Sequence, residues 1–324
     1  MKVDTALIAT ELLEVPDAAR TVEAAGFDGV LTFEGTHDAM FPLLLAAEHT
    51  ERIELTTAVV IAFGRNPMTL AQSAYDLQLA SHGRFNLGLG TQIKPHIEKR
   101  YSMPWSKPAA RMREMVLAIR AIWSAWHEGT KLDFRGEFYT HTLMTPFFNP
   151  GPSPYGLPRI FLGGVGPLMT EVAGEVGDGF MVHPFTTEKF MRETTMPALE
   201  RGCERAGRTL ADLEVALPLM TATNEAERNA IRPRLAFYGS TPAYKVVLDA
   251  HGWGDLQPEL NRLSKTGDWG TMSSLITDEM VDAFAICGST DELGPLVRKR
   301  WGDLVQRVSI DTPDPKVLEA LHAD

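Results

Sequence analysis

Apolar and polar positions follow two periods along this chain, and the two take turns. At 83–92, GRFNLGLGTQ, Phe85, Leu87 and Leu89 alternate with Asn86 and Gly88, the period of two expected of a strand. At 109–126, Met112, Met115, Val116, Ile119, Ile122 and Trp123 recur every three or four residues, the stripe of a long amphipathic helix. Read this way, strands are expected at 3–9, 29–33, 53–62, 84–89, 159–162, 179–183, 212–222 and 304–310. Helices are expected at 16–25, 41–48, 67–81, 109–126, 167–175, 187–206, 225–238, 243–250 and 291–300. Gly26 is positioned to end the first helix, and Pro16, Pro67 and Pro167 to begin theirs.

Short apolar strands, each followed by a helix, predict an α/β fold built as a (β/α)8 TIM barrel. A doubly wound sheet is the rival, but it usually has fewer strands and carries its glycine fingerprint after the first one. Two stretches break the rhythm. Residues 131–158 carry five prolines and several aromatics, with a hairpin expected around Arg135-Gly136-Glu137. Residues 251–277 are polar and glycine-rich and are expected to make an excursion over the top of the barrel, shaping the pocket. The expectation is a single domain over 1–324 with insertions near 131–158 and 251–277.

The chain has 324 residues, 44% of them hydrophobic, ample for one large core. Its 31 Lys+Arg against 42 Asp+Glu give a formal charge of −11, which argues against a general nucleic-acid surface or an anionic membrane partner. Cys203 and Cys287 stand far apart, with no CxxC or Cys/His spacing for a metal, and both read as core residues. MKVDTALIAT lacks the apolar run of a signal peptide, and nothing approaches the roughly 18 apolar residues of a membrane helix. The expectation is a soluble cytoplasmic protein without a metal.

In a barrel the chemistry gathers on the loops that follow the strands. Those loops hold Glu34-Gly35-Thr36-His37-Asp38, Phe63-Gly64-Arg65-Asn66, Gly90-Thr91-Gln92, Gly163-Gly164-Val165-Gly166 and His183. Glu34 and His37 form a plausible acid–base pair, a carboxylate orienting an imidazole that titrates near neutrality; a solvated Glu34 and a helix-capping His37 is the bland alternative. Gly163–Pro167 enters a helix, so its backbone N–H groups suit a phosphate; a simple strand–helix turn remains the other reading. Lys94, His96, Lys99 and Arg100 make a basic run for an anionic tail or a solvated loop. His183 reads as a donor to cofactor or substrate, or as a buried histidine satisfied by backbone. Trp105, Phe134, Phe138, Tyr139, Phe147 and Phe148 could wall an apolar pocket or form a dimer contact.

The segments AAGFDGVLTFEGTHDAMFPL (24–43), RIELTTAVVIAFGRNPMTLAQSAYDLQLASHGRFNLGLGTQIKPHIEKRYSMPW (52–105) and IFLGGVGPLMTEVAGEVGDGF (160–180) resemble the luciferase-like monooxygenase superfamily. Within it the chain is similar to the actinobacterial oxidoreductases that use coenzyme F420, a 5-deazaflavin. The resemblance runs in order through nearly the whole chain, best over 24–183. It implies a luciferase-like barrel with the cofactor ring at its mouth and a non-prolyl cis peptide, by position Ala58–Val59, against the ring. It places Glu34 near the ring. The following residue is a catalytic histidine in some relatives and is Gly35 here. By the same resemblance Thr91 and Gln92 contact the ring or ribityl chain, beside Gly90, whose bare backbone lets the cofactor approach, and the Gly163, Gly164 and Val165 backbone meets the phosphate. His183 contacts cofactor or substrate.

The function expected is hydride transfer between F420 and a small organic substrate, with Glu34, His37 and His183 as the acid–base candidates in that order. The alternatives are an FMN-dependent luciferase-like monooxygenase, a non-catalytic cofactor-binding barrel and, more weakly, a phosphate-binding sugar enzyme. A homodimer is implied by the resemblance; no nucleic-acid or membrane partner is expected.

Overall fold

The structure, a computed structural model, describes residues 1–9, 11–311 and 313–323. Eight strands, all parallel, close on one another: β1 (Lys2–Ala6), β2 (Gly29–Thr32), β3 (Glu54–Thr57), β4 (Phe85–Gly90), β5 (Arg159–Gly164), β6 (Gly179–Val182), β7 (Glu214–Pro218) and β8 (Arg307–Ile310). Each pairs with the next, as in Val30↔Leu55 and Leu87↔Ile160, and Val3↔Val308 joins the last to the first. This is the (β/α)8 barrel that the alternation of periods predicts. The inner layer and the helices bury one continuous core, including Leu55, Leu87, Trp123, Leu162 and Val308.

Local signals set most boundaries. Gly26 takes φ 96° beyond helix Val15–Ala25, a left-handed position that glycine reaches without strain. Asn66 accepts from the Thr69 N–H at 3.0 Å, with Pro67 as the first residue of helix Pro67–Ala80.

The floor of the barrel is ionic. Arg307, at the start of β8, places its guanidinium 2.6 Å from carboxylate oxygens of Asp4, Glu54 and Glu214. Arg159 reaches Glu214 at 2.6 Å, Asn86 donates to Glu54 at 3.0 Å, and Lys2 pairs with Glu54. These groups sit at the starts of six strands. Gly29 leaves the room they need: a Cβ there would stand 2.7 Å from Asp4 Oδ1.

Two expected strands are corrected, and helices appear where none was expected. The strand at 53–62 is interrupted after Thr57 by a cis peptide at Ala58–Val59 and resumes as Val60–Ile61. The strand at 212–222 ends at Pro218, and Thr221–Ala222 pairs separately with Ile286–Cys287. Residues 251–277, expected as a polar excursion, hold helices Leu256–Thr266 and Trp269–Ser274. Their apolar residues Leu260, Leu263, Met272 and Ile276 pack with Phe185, Leu235, Val281 and Phe284 in a second apolar cluster. Few apolar residues suffice there because they recur every three or four positions on one face. Helices Asp278–Phe284 and Pro315–His322 add elements the periodicity did not predict.

The hairpin in 131–158 forms from Phe134–Arg135 and Thr140–His141. Glu114 holds its turn by accepting from the N–H groups of Glu137, Phe138 and Tyr139 at 2.6–2.8 Å. Cys203 is buried in the main core, whereas Cys287 is half-buried against the second cluster. No helix among the described residues is long and apolar enough to cross a membrane.

Candidate functional site

A cavity of about 820 Å³ opens at the C-terminal ends of the strands. Its wall includes Glu34, Ala58, Val59, Gly90, Thr91, Gln92, Gly163, Gly164, Val165 and His183, so ten of the residues singled out from the sequence converge on one space.

Backbone brings the first of them together. Thr32 carbonyl accepts from the Ala58 N–H at 2.5 Å, and Val59 carbonyl accepts from the Glu34 N–H at 3.3 Å. The Val59 side chain lies on glycine. A Cβ added at Gly90 would stand 2.4 Å from Val59 Cγ2, and one at Gly163 would stand 3.2 Å from Cγ1. β4 and β5 thus carry glycine near their ends because the Val59 side chain occupies the volume that side chains there would need.

Glu34 is anchored on both oxygens. Oε2 accepts from Arg65 Nη1 at 2.5 Å and from the Ile61 N–H at 2.8 Å, while Oε1 accepts from the Tyr101 hydroxyl at 2.8 Å. Arg65 spans to Asp38 with its other nitrogen, at 2.6 Å. Burial, and the bond to Glu34, push the Tyr101 phenol up. Arg65 stood among the strand-end residues in the sequence, but its ion pair did not. Tyr101 was part of a quoted motif with no role attached.

Thr91 and Gln92 follow β4, with Gln92 at φ 58°. Gln92 Oε1 accepts from the Ile93 N–H at 2.9 Å, and the Thr91 hydroxyl donates to Gln92 carbonyl at 2.9 Å. After β5, Gly166 precedes helix Pro167–Val176, whose first turn has no side-chain cap. A Cβ at Gly166 would meet nothing within 4 Å, so the approach to this helix start is open.

His183 is half-buried at the end of β6. Its Nδ1 accepts from the Phe185 N–H at 3.0 Å, and its ring packs against Tyr238 and Tyr244 with centroids 4.9 and 4.4 Å away. Burial, reinforced by the Arg234 charge, pushes the imidazole down to about 4. At neutral pH the ring is therefore uncharged. Because a backbone N–H can only donate, Nδ1 is the acceptor and the ring proton is assigned to Nε2.

His37 is exposed and contributes nothing to the cavity wall, so the structure does not unite it with Glu34 as an acid–base pair. The bend over 35–37 carries it outward, and Asp38, one residue on, returns to Arg65. Of the aromatics considered as a wall, only Trp105 lines the cavity; Phe147 and Phe148 are exposed elsewhere. No residue of 251–277 lines it either. Thr241, Pro242, Ala243 and Tyr244 do, and no sequence motif marked them. Of the basic run, Lys94 reaches the rim, whereas Arg100 donates to Gly35 carbonyl at 3.0 Å.

The sequence of 2–305 matches the model of the luciferase-like monooxygenase family. An uncharacterized protein of Mycobacterium tuberculosis is 54% identical over 307 residues, covering 93% of this chain and 90% of that protein. A putative coenzyme F420-dependent oxidoreductase of the same organism is 30% identical, covering 84% of this chain and 82% of the relative. The coenzyme F420-dependent tetrahydromethanopterin reductase of Methanopyrus kandleri superposes with a TM-score of 0.79 at 21% identity, over 99% of this chain and 96% of that one. The chain belongs to the luciferase-like monooxygenase family and is an enzyme of that class.

Proposed function

We propose that this enzyme uses coenzyme F420 to exchange a hydride with a small organic substrate. The observation that carries the reading is the convergence, in one cavity, of a glycine-backed shelf at Val59, an open helix start at Gly166 and the anchored carboxylate of Glu34. The residues fit such a group. A volume of about 820 Å³ admits a tricyclic ring beside a small substrate. Ala58 and Val59 would support the ring, Thr91 and Gln92 its polar edge or ribityl chain, and the backbone N–H groups of Gly163, Gly164 and Val165 the phosphate. The 30% identical relative, by its name an F420-dependent oxidoreductase, supports the choice of cofactor.

When bound, the deazaflavin supplies a hydride carrier that reacts poorly with oxygen. The protein's own residues do the rest. Glu34 is the acid–base candidate at the wall, because Arg65, Tyr101 and the Ile61 N–H fix where its oxygens stand. Neutral His183 orients rather than titrates near pH 7. His37 takes no part in this account.

Turnover distinguishes this reading from an FMN-dependent monooxygenase. With reduced F420 in air, oxidised deazaflavin is expected to appear only on addition of an active member of a carbonyl panel, with no oxygen uptake. Oxygen consumption driven by reduced FMN would contradict the proposal.

A further inference from the structure

Among the described residues, the charged side chains that reach the cavity wall all have charge partners within the chain. Glu34 is matched by Arg65, and Asp4 by Arg307, which Glu54 and Glu214 also share. Lys94, at the exposed rim, stands 3.8 Å from Glu98. Arg234, whose charge acts on His183, is paired with Asp311. The remaining wall is neutral and includes Phe33, Ile93, Pro184, Pro242 and Tyr244. Phe33 is 66% exposed and Ile93 is 37% exposed, so large apolar surfaces face the opening. Beside the uncharged polar side chains of Thr91, Gln92, Thr241 and Tyr244, His183 offers a directed donor, the Nε2–H that its bond to Phe185 leaves.

We infer that the substrate is a neutral, largely hydrocarbon molecule carrying one oxygen acceptor, a ketone or the corresponding alcohol, whose oxygen accepts from His183 Nε2. This rests on the oxidoreductase reading of the same cavity and adds the chemical class to it. A carboxylate or phosphate against this wall would lose its hydration and meet no unmatched cation, and so binds more weakly. A ketone loses little and gains a hydrogen bond from His183.

The test uses two probes of equal chain length, 2-octanone and 7-oxooctanoate, titrated at neutral pH into the protein with and without F420 and followed by saturation-transfer NMR. The ketone is expected to bind at least about tenfold more tightly than the keto acid. His183→Phe should weaken 2-octanone about 3- to 10-fold, the worth of one hydrogen bond, and His183→Gln, which keeps an N–H donor, should recover part of it. Unchanged circular dichroism spectra and thermal unfolding in both variants report an intact fold. Equal or tighter binding of 7-oxooctanoate overturns the inference, as does binding of neither probe or an unaltered ketone affinity in His183→Phe. Failure of F420 itself to bind would contradict the cofactor reading, while the ratio of the two probes still decides the substrate class.

Discussion

Arg307→Met is expected to remove about 3–5 kcal/mol of folding stability, the loss seen when one member of a buried ionic group is deleted. Three carboxylates converge on this guanidinium at 2.6 Å, and the Asp4 and Arg307 side chains are only 1% and 4% exposed. Burial pulls Arg307 down, but Asp4 and Glu54 hold it above its ordinary value, so it stays charged. Burial also pushes Asp4 up to about 6, against the pull of Arg307. An acid raised in the folded state contributes stability below its unfolded value near 3.8, and that contribution is lost as pH rises through about 6. Without the guanidinium the carboxylates rise further, so the deficit of the variant should be smallest near pH 4 and widen toward neutrality. Urea unfolding followed by circular dichroism at several pH values reads both effects. If Arg307→Met does not fold, Arg307→Lys keeps the charge, loses the fork and should show a smaller deficit of the same sign. A variant as stable as the parent at neutral pH would contradict the ionic floor.

Glu34→Gln is expected to lower turnover about a hundredfold or more, the scale of a lost acid–base group. The same change should cost only about 1–3 kcal/mol of stability, because the amide oxygen can still accept from Tyr101 or Ile61 while the pairing with Arg65 is lost. Arg65 and Tyr101 are positioning residues: neither lines the cavity, and each acts through the carboxylate. Tyr101→Phe should therefore lower turnover less than Glu34→Gln. Steady-state kinetics alongside thermal unfolding separates the two effects, and unchanged turnover in Glu34→Gln would remove Glu34 from the mechanism.

The architecture was legible wherever periodicity was strong. β4 and the helix Pro108–His127 follow from alternating and heptad-like apolar positions, and Gly26 from its place after an apolar stripe. The glycines of the shelf were visible as glycines, but their reason, the volume taken by Val59, depends on three strands meeting in space. The ionic floor was not visible at all: Asp4, Glu54, Glu214 and Arg307 are scattered single polar residues until closure of the barrel gathers them. The helices within 251–277 were hidden because they bury only Leu260 and Leu263 in the one and Met272 in the other, within a polar stretch. His37 misled because proximity to Glu34 in sequence says nothing of direction after a bend.

Equilibrium titration of the purified protein with F420 and with FMN, each followed by its own fluorescence, tests the central claim most directly. F420 should bind at micromolar concentration or below and FMN more weakly. Gly90→Ala, which drives a Cβ into Val59, should weaken F420 while leaving the circular dichroism spectrum intact. Tighter binding of FMN, or binding of neither, would contradict the account.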